Sequence, residues 1–316
     1  MTADPSSEAP RIAGFWRRVG AFFVDGLLLG AVGLVLGLGL APQLAELGPW
    51  GRLLGFSIAM LYFVPLDSRL SGGQTPGKRL LKIRVVTRDG SPLSLSLSLL
   101  RFLPLGVPWF LNNLQLPQEI MFSGWGYLLT IIIFGVGLSS GYLLVFNRRT
   151  RQGLHDLLAG SYVVMAGPSA PLEVARPWAL HLVVCAVLIV ASGVLPYFTM
   201  RLANDEPFVG ILKVQQAVLA QAGVRHAQVT KGKSWFSNGS SQQETRFMDM
   251  VVYVRDSDVE NPERAKRLAV LGLATDPSAA ALDSIRVTIV HGYDIGIAAS
   301  WKSQAYAHSP AEWRAP

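Results

Sequence analysis

The chain has 316 residues, half of them hydrophobic and only 16% charged, with one cysteine and a formal net charge of +7. That balance excludes a disulfide framework and a cysteine-based metal site, and it describes a membrane protein carrying a soluble piece. Residues 1–200 hold 15 Lys/Arg against 9 Asp/Glu, whereas residues 201–316 hold 13 against 12, so the basic excess lies in the apolar half and reports orientation, not nucleic-acid binding.

Residues 1–10 (MTADPSSEAP) are polar and read as a disordered tail. The stretch Arg11 to Ala41 then runs from a basic flank into an apolar segment whose 22 residues from Gly20 cover a hydrocarbon core of roughly 30 Å at about 1.5 Å per residue. It is too long for a secretory signal and keeps an acid inside, so it reads as an uncleaved membrane span that Pro42 ends. Asp25 is that acid. A carboxylate at this depth should face the protein interior with a partner, and Arg18, seven residues earlier on nearly the same helix face, is the nearest candidate. Gly26, Gly30, Gly33 and Gly37 form a small-residue stripe that suits the close approach of another helix.

A second span runs from Trp50 to Leu66, with Trp50, Tyr62 and Phe63 as interfacial anchors. Between Asp67 and Arg101 the character changes: Arg69, Lys78, Arg79, Lys82, Arg84, Arg88 and Arg101 crowd one stretch, which the positive-inside rule assigns to the cytoplasm. Within it LKIRVVT and PLSLSLS flank a turn at Arg88–Ser91 and predict a β-hairpin at the membrane surface. Gly72 to Lys78 (GGQTPGK) mimics a phosphate-binding P-loop. Arg79 replaces the required Ser/Thr and no strand precedes it, so nucleotide binding is rejected in favour of a glycine turn whose basic residues lie near lipid phosphates.

Residues 102–116 (FLPLGVPWFLNNLQL) are apolar but interrupted by two prolines, and read as either a short kinked span or a re-entrant hairpin. Met121 to Phe146 is a clear span with Arg148, Arg149 and Arg151 at its cytoplasmic end, followed by Asp156 beside His155. Trp178 to Phe198 is the last. Residues 201–316 repeat the order helix, strand, strand, and predict a small α+β domain with one antiparallel sheet and a turn at His291–Asp294. Asn238-Gly239-Ser240 fits a glycosylation acceptor, a triplet that arises often by chance. His226, His291 and Asp294 lack metal-ligand spacing.

Three blocks carry a family resemblance: Arg18-x-x-Ala21-x-x-x-Asp25, the loop SGGQTPGKRLLKIRVV, and GLHDLLAGSYVV with Asp156. Over about residues 11–166 the chain resembles the RDD family, membrane proteins named for one arginine and two aspartates, and the resemblance assigns those positions to Arg18, Asp25 and Asp156. Pro76 and Ser161 depart from the family pattern, neither of them touching that triad. Family members have been proposed as cation/proton antiporters and others as assembly factors.

The whole reads as a polytopic α-helical membrane protein of about five transmembrane helices followed by a small α+β extramembrane domain. Its parts are a tail at 1–10, the RDD-like domain at 11–166, a linker with the final helix at 167–200, and the extramembrane domain at 201–316. It is placed in the plasma (inner) membrane with its N-terminus cytoplasmic and its C-terminal domain outside. Two functions follow: transport of a small cation, proton or solute with Asp25 as the binding or protonation site, or a scaffold that binds a partner protein through its helices and residues 201–316. No cofactor or metal is expected. No nucleophile and base pair can be assembled from local motifs, so an enzyme is not expected either.

Overall fold

A computed structural model of the chain describes residues 11–116, 118–168, 170–203, 208–237 and 242–315; the tail at 1–10 and the Asn238 triplet lie outside them. The chain divides into two units. One takes in the chain up to Gly39, Pro49–Pro196 and Ile295–Ala298; the other takes in Leu40–Gly48, Tyr197–Asp294 and Ala299–Pro316.

The first unit is helical. Helix α1 (Phe15–Leu47), of which residues up to Gly39 belong to this unit, does not stop at Pro42: its dihedrals break at Leu40, beside the proline that lacks the N–H for the helical bond, and the helix resumes to Leu47. After one short turn comes α2 (Gly51–Leu66), whose C-cap is Asp67. The five-residue α3 (Pro76–Leu80) is capped by Thr75 and leads to strand β1 (Ile83–Thr87).

Helix α4 (Leu95–Leu111) contains both Pro104 and Pro108 without turning back, so 102–111 is not a re-entrant hairpin. It runs antiparallel to α2 and is matched to it at both ends. Ser98 Oγ donates to Val64 O at 2.8 Å, and at the far end the Arg52 guanidinium donates to the carbonyl of Asn112. Phe102 and Phe110 pack with Leu29 and Ala59 in the shared core.

The short α5 (Gln118–Met121) precedes α6 (Gly124–Thr130), a π-helical turn (Ile131–Val136) and α7 (Gly137–Phe146), which together make one continuous rod. Then come α8 (Leu154–Leu158), strand β2 (Ser161–Met165) and α9 (Ala179–Ala203). By length and hydropathy three helical stretches among the described residues suffice to cross a membrane: Phe15–Leu66, Gly124–Phe146 and Ala179–Leu202. The first contains both α1 and α2. Their outward faces are apolar, as at Val35, Leu38, Val187 and Val190, which is the surface that hydrocarbon accepts.

The expected hairpin is absent. The turn exists, with Gly90 N donating to Thr87 O at 3.0 Å, but β1 pairs antiparallel with β2, Ile83 opposite Met165 and Thr87 opposite Ser161. The serine-leucine alternation that mimicked a second strand is the first turn of α4, whose N-cap Ser94 accepts from Leu97 N. The glycine stripe of α1 meets no helix at Gly30 or Gly33. Within this unit both face residues 297–298, and a Cβ on Gly33 would lie 2.6 Å from that of Ala298; a Cβ on Gly26 would meet open space.

The second unit contains α10 (Phe208–Leu219), β3 (Val224–Ser237), β4 (Gln242–Val254), α11 (Pro262–Thr275), β5 (Ser284–Asp294), β6 (Ala299–His308) and α12 (Pro310–Arg314). The sheet order is β3-β4-β5-β6. The two hairpins are antiparallel, but β4 and β5 are parallel, so the sheet is mixed and not wholly antiparallel as the sequence predicts. The reason is the helix between them: α11 carries the chain back to the starting edge, as a parallel pair requires. His291 and Asp294 belong to β5 and not to a turn. Val214, Val218, Met248, Met250, Val252, Leu268, Ile285 and Ile289 form one buried core between the helices and one sheet face.

Candidate functional site

The three family positions do not form one contact. Arg18 is 8% exposed and Asp25 only 1%, but they are not partners. The Arg18 guanidinium donates to Asp156 Oδ2 and to the carbonyl of Arg151. The pairing of Arg18 with Asp25 expected from helix spacing is thereby corrected: a seven-residue separation puts two side chains on one face about 10 Å apart along the axis, too far for direct contact.

Asp25 is held instead by three neutral donors. Tyr62 from α2 donates its hydroxyl to Oδ1 at 2.8 Å, Gly77 N donates to Oδ1 at 2.8 Å, and Thr75 Oγ1 donates to Oδ2 at 2.5 Å. The P-loop-like stretch is therefore an anion cradle after all, and its anion is the chain's own carboxylate. Position 77 has to be glycine for this, because a Cβ there would lie 2.2 Å from Ala21 O and 2.9 Å from Asp25 Oδ1. Gly73 lies in the left-handed region at φ 75° against Val85 O, which folds the loop tightly enough to bring Thr75 back onto α1.

From this cradle the charges continue through buried pairs. Lys78 Nζ reaches Asp67 Oδ1 at 2.5 Å; Arg101 bridges Asp67 Oδ2 at 2.6 Å and Asp156 Oδ1 at 2.9 Å; Arg18 closes on Asp156. Since Arg18 and Asp25 both sit on α1, the sequence of contacts is a ring running α1, α3, α2, α4, α8 and back to α1. Three cations and three carboxylates make it electrically neutral. Gly153 N and Ser161 Oγ, each 3.2 Å from Asp156, complete the acceptor shell. Ser161 therefore does touch the triad, and the hydroxyl, which Ser and Thr share, is the part that matters.

Electrostatics follow the burial. Burial by itself would raise the Asp156 carboxyl, but the Arg18 guanidinium above all outweighs it and holds the group well below the usual carboxylate range. Burial pushes the His155 imidazole, 3.3 Å from Asp156, down to about 3 in spite of that neighbour. Burial likewise lowers the Lys78 ammonium against the pull of Asp67.

Asp67, Lys78 and Arg101 are the members that sequence reasoning misses. Lys78 and Arg101 read as basic residues facing lipid or cytoplasm, yet they are 8% and 7% exposed. For Arg101 the signal was present: one cation inside LSLSLLRFLPLG is costly in an apolar helix and demands a partner. Tyr62 reads as an interfacial anchor, but its hydroxyl serves Asp25. Among the described residues no group of three or more His, Cys, Asp or Glu could hold a metal ion.

A family model described as the RDD family matches residues 12–160. The uncharacterised protein YckC of Bacillus subtilis (strain 168) is 31% identical over 156 residues, which cover 49% of this chain and 86% of that protein. No solved structure matches. Residues 12–160 contain every member of the ring, and the chain belongs to the RDD family.

Proposed function

We propose that the chain is a non-enzymatic scaffold of the plasma (inner) membrane, in which the ring of buried charge fixes the helix ends and residues 201–316 bind a partner protein. The observation that carries this reading is the saturation of the ring. Each of its carboxylates accepts at least two hydrogen bonds from protein donors, so an ion entering it would have to displace bonds already made. Five spans suit the same geometry. Arg18 starts α1, Asp67 ends α2, Arg101 lies in the first half of α4 and Asp156 follows α7, so an up, down, up, down order brings all four to one side. Because α4 is matched to α2 end to end, it crosses if α2 does. The bias of Arg and Lys in residues 67–101 and 147–151 supports a cytoplasmic N-terminus, and a fifth crossing by α9 then carries the C-terminal domain outside.

Transport is the second reading, favoured by one observation: Asp25 lies within the span Phe15–Leu66 and has no ion-pair partner among the described residues. Cation and proton flux into vesicles with and without the full chain tests both. No flux above that of empty vesicles is expected. A flux abolished by Asp25→Asn in a variant that is still folded and inserted would overturn the scaffold and establish transport.

A further inference from the structure

An open cavity of about 510 Å³ lies where the start of α1 meets the segment after α7. Phe15, Trp16 and Val145 line its apolar side, Arg17, Arg148 and Arg151 its polar side, and no carboxylate lines it among the described residues. None of these three arginines takes part in an ion pair among the described residues, and Arg17 spends one donor on Leu81 O at 3.1 Å. Arg151 adopts the left-handed region at φ 53°. That turn presents its carbonyl to Arg18 of the buried ring, and the same residue lines the cavity.

We infer that this cavity binds the phosphodiester headgroup of an anionic phospholipid. Guanidinium forks match phosphate oxygens, and three of them with no acid among the described lining residues favour a lipid of net negative charge over a zwitterionic one. The apolar side belongs to the ends of two helices long enough to span. Trp16, 79% exposed, is the residue type that sits at the headgroup boundary. The cavity is therefore apolar toward the acyl chains and cationic toward water, which a free anion would not need. Because the Arg151 carbonyl holds Arg18, an occupied site steadies the ring. The inference requires only that the chain is embedded in a bilayer, so it stands or falls separately from the scaffold reading.

The test titrates the full chain in detergent with phosphatidylglycerol, phosphatidylcholine or inorganic phosphate and follows the thermal melt. Phosphatidylglycerol should raise the melting temperature while the other two leave it in place. Arg17→Gln and Arg148→Gln should each weaken the apparent lipid affinity about fivefold, and the pair about 25-fold. Arg149→Gln, on the neighbouring exposed residue outside the lining, should change nothing. Phosphatidylglycerol retained through gel filtration and weighed by mass spectrometry gives the same comparison without a melt, should a variant prove less stable. An equal response to phosphatidylcholine, or an equal loss in Arg149→Gln, would overturn the site; a full response to inorganic phosphate would make it a free-anion site and overturn the lipid assignment.

Discussion

Asp25 accepts three hydrogen bonds and donates none, and that asymmetry decides what an amide would do in its place. Asn would aim an NH2 at the donors Tyr62, Thr75 or Gly77, leaving a buried donor unmatched at a cost of about 1–3 kcal/mol. Asp25→Asn should therefore melt at a lower temperature in detergent, and an unchanged melt would contradict the donor shell. Asp156→Ala removes the only carboxylate paired with Arg18 among the described residues and one of the two paired with Arg101, so it should cost more, about 3–5 kcal/mol, and lower the amount of folded protein recovered. Combining Arg18→Asp with Asp25→Arg should not restore stability, because each residue's partners lie elsewhere. His155 supplies a pH test. Its imidazole sits at about 3 in the fold against 6.5 when free, so below pH 6.5 the unfolded chain takes up a proton that the folded chain refuses. Stability should fall from pH 6.5 down to about 3. The lowered Asp156 carboxyl adds stability that is complete above its ordinary value of 3.8 and is lost only as the pH drops further. Replacing His155 with Asn should flatten the upper part of that slope in melts taken between pH 7 and 4. The residues that carry this behaviour were only partly legible. Arg18, Asp25 and Asp156 stand out by spacing and resemblance, but the choice of partner depends on Asp67 and Lys78, whose meaning comes from a fold-back no local pattern records.

At the scale of elements, the helices were the most readable part and the strand pairing the least. The runs at 50–66 and 121–146 return as α2 and as the rod ending at Phe146 because an apolar segment of that length has no other way to satisfy its backbone in hydrocarbon. LSLSLS misled because six residues do not separate a period of two from one face of a helix; Ser94 and the apolar residues after Arg101 decide the matter in favour of α4. The partner of β1 lies more than 70 residues downstream in β2, a separation at which sequence pattern carries no register. The matched ends of α2 and α4 give a test of crossing. With Cys185 replaced by Ser, a single cysteine at Asn113 should react with a membrane-impermeant reagent from outside whole cells, and one at Arg79 only after lysis. Labelling of both from the same side would end the paired crossing.

For the whole molecule, the mixed sheet closes its core with α10, α11 and the buried Trp313, whose indole N–H donates to Ile285 O at 2.9 Å. The buried members of that core all come from residues after 213. Residues 203–316 expressed alone should therefore be soluble and monomeric with a cooperative melt, and an aggregated product would mean that another segment completes the core. A reporter fused at Pro316 should be active only outside the cytoplasm; cytoplasmic activity would remove the five-span topology. The duplicated helix, strand, strand order is visible in the sequence, but the parallel joint between the two halves is not, since hairpins are local and a crossover is not.

The ring has one more consequence, which belongs to how the protein is made. Its members emerge from the ribosome in the order Arg18, Asp25, Asp67, Lys78, Arg101, Asp156. From Arg101 until the last of them is synthesised the set carries one surplus positive charge, while the acid that Arg18 takes does not yet exist. With those helix ends on the cytoplasmic side, as proposed, the surplus would meet water and lipid phosphates on the side where translation occurs. In the proposed topology the same charge that later vanishes into a neutral ring would act first as a transient anchor, keeping the early helix ends on the synthetic side until residue 156 arrives to release them into the protein.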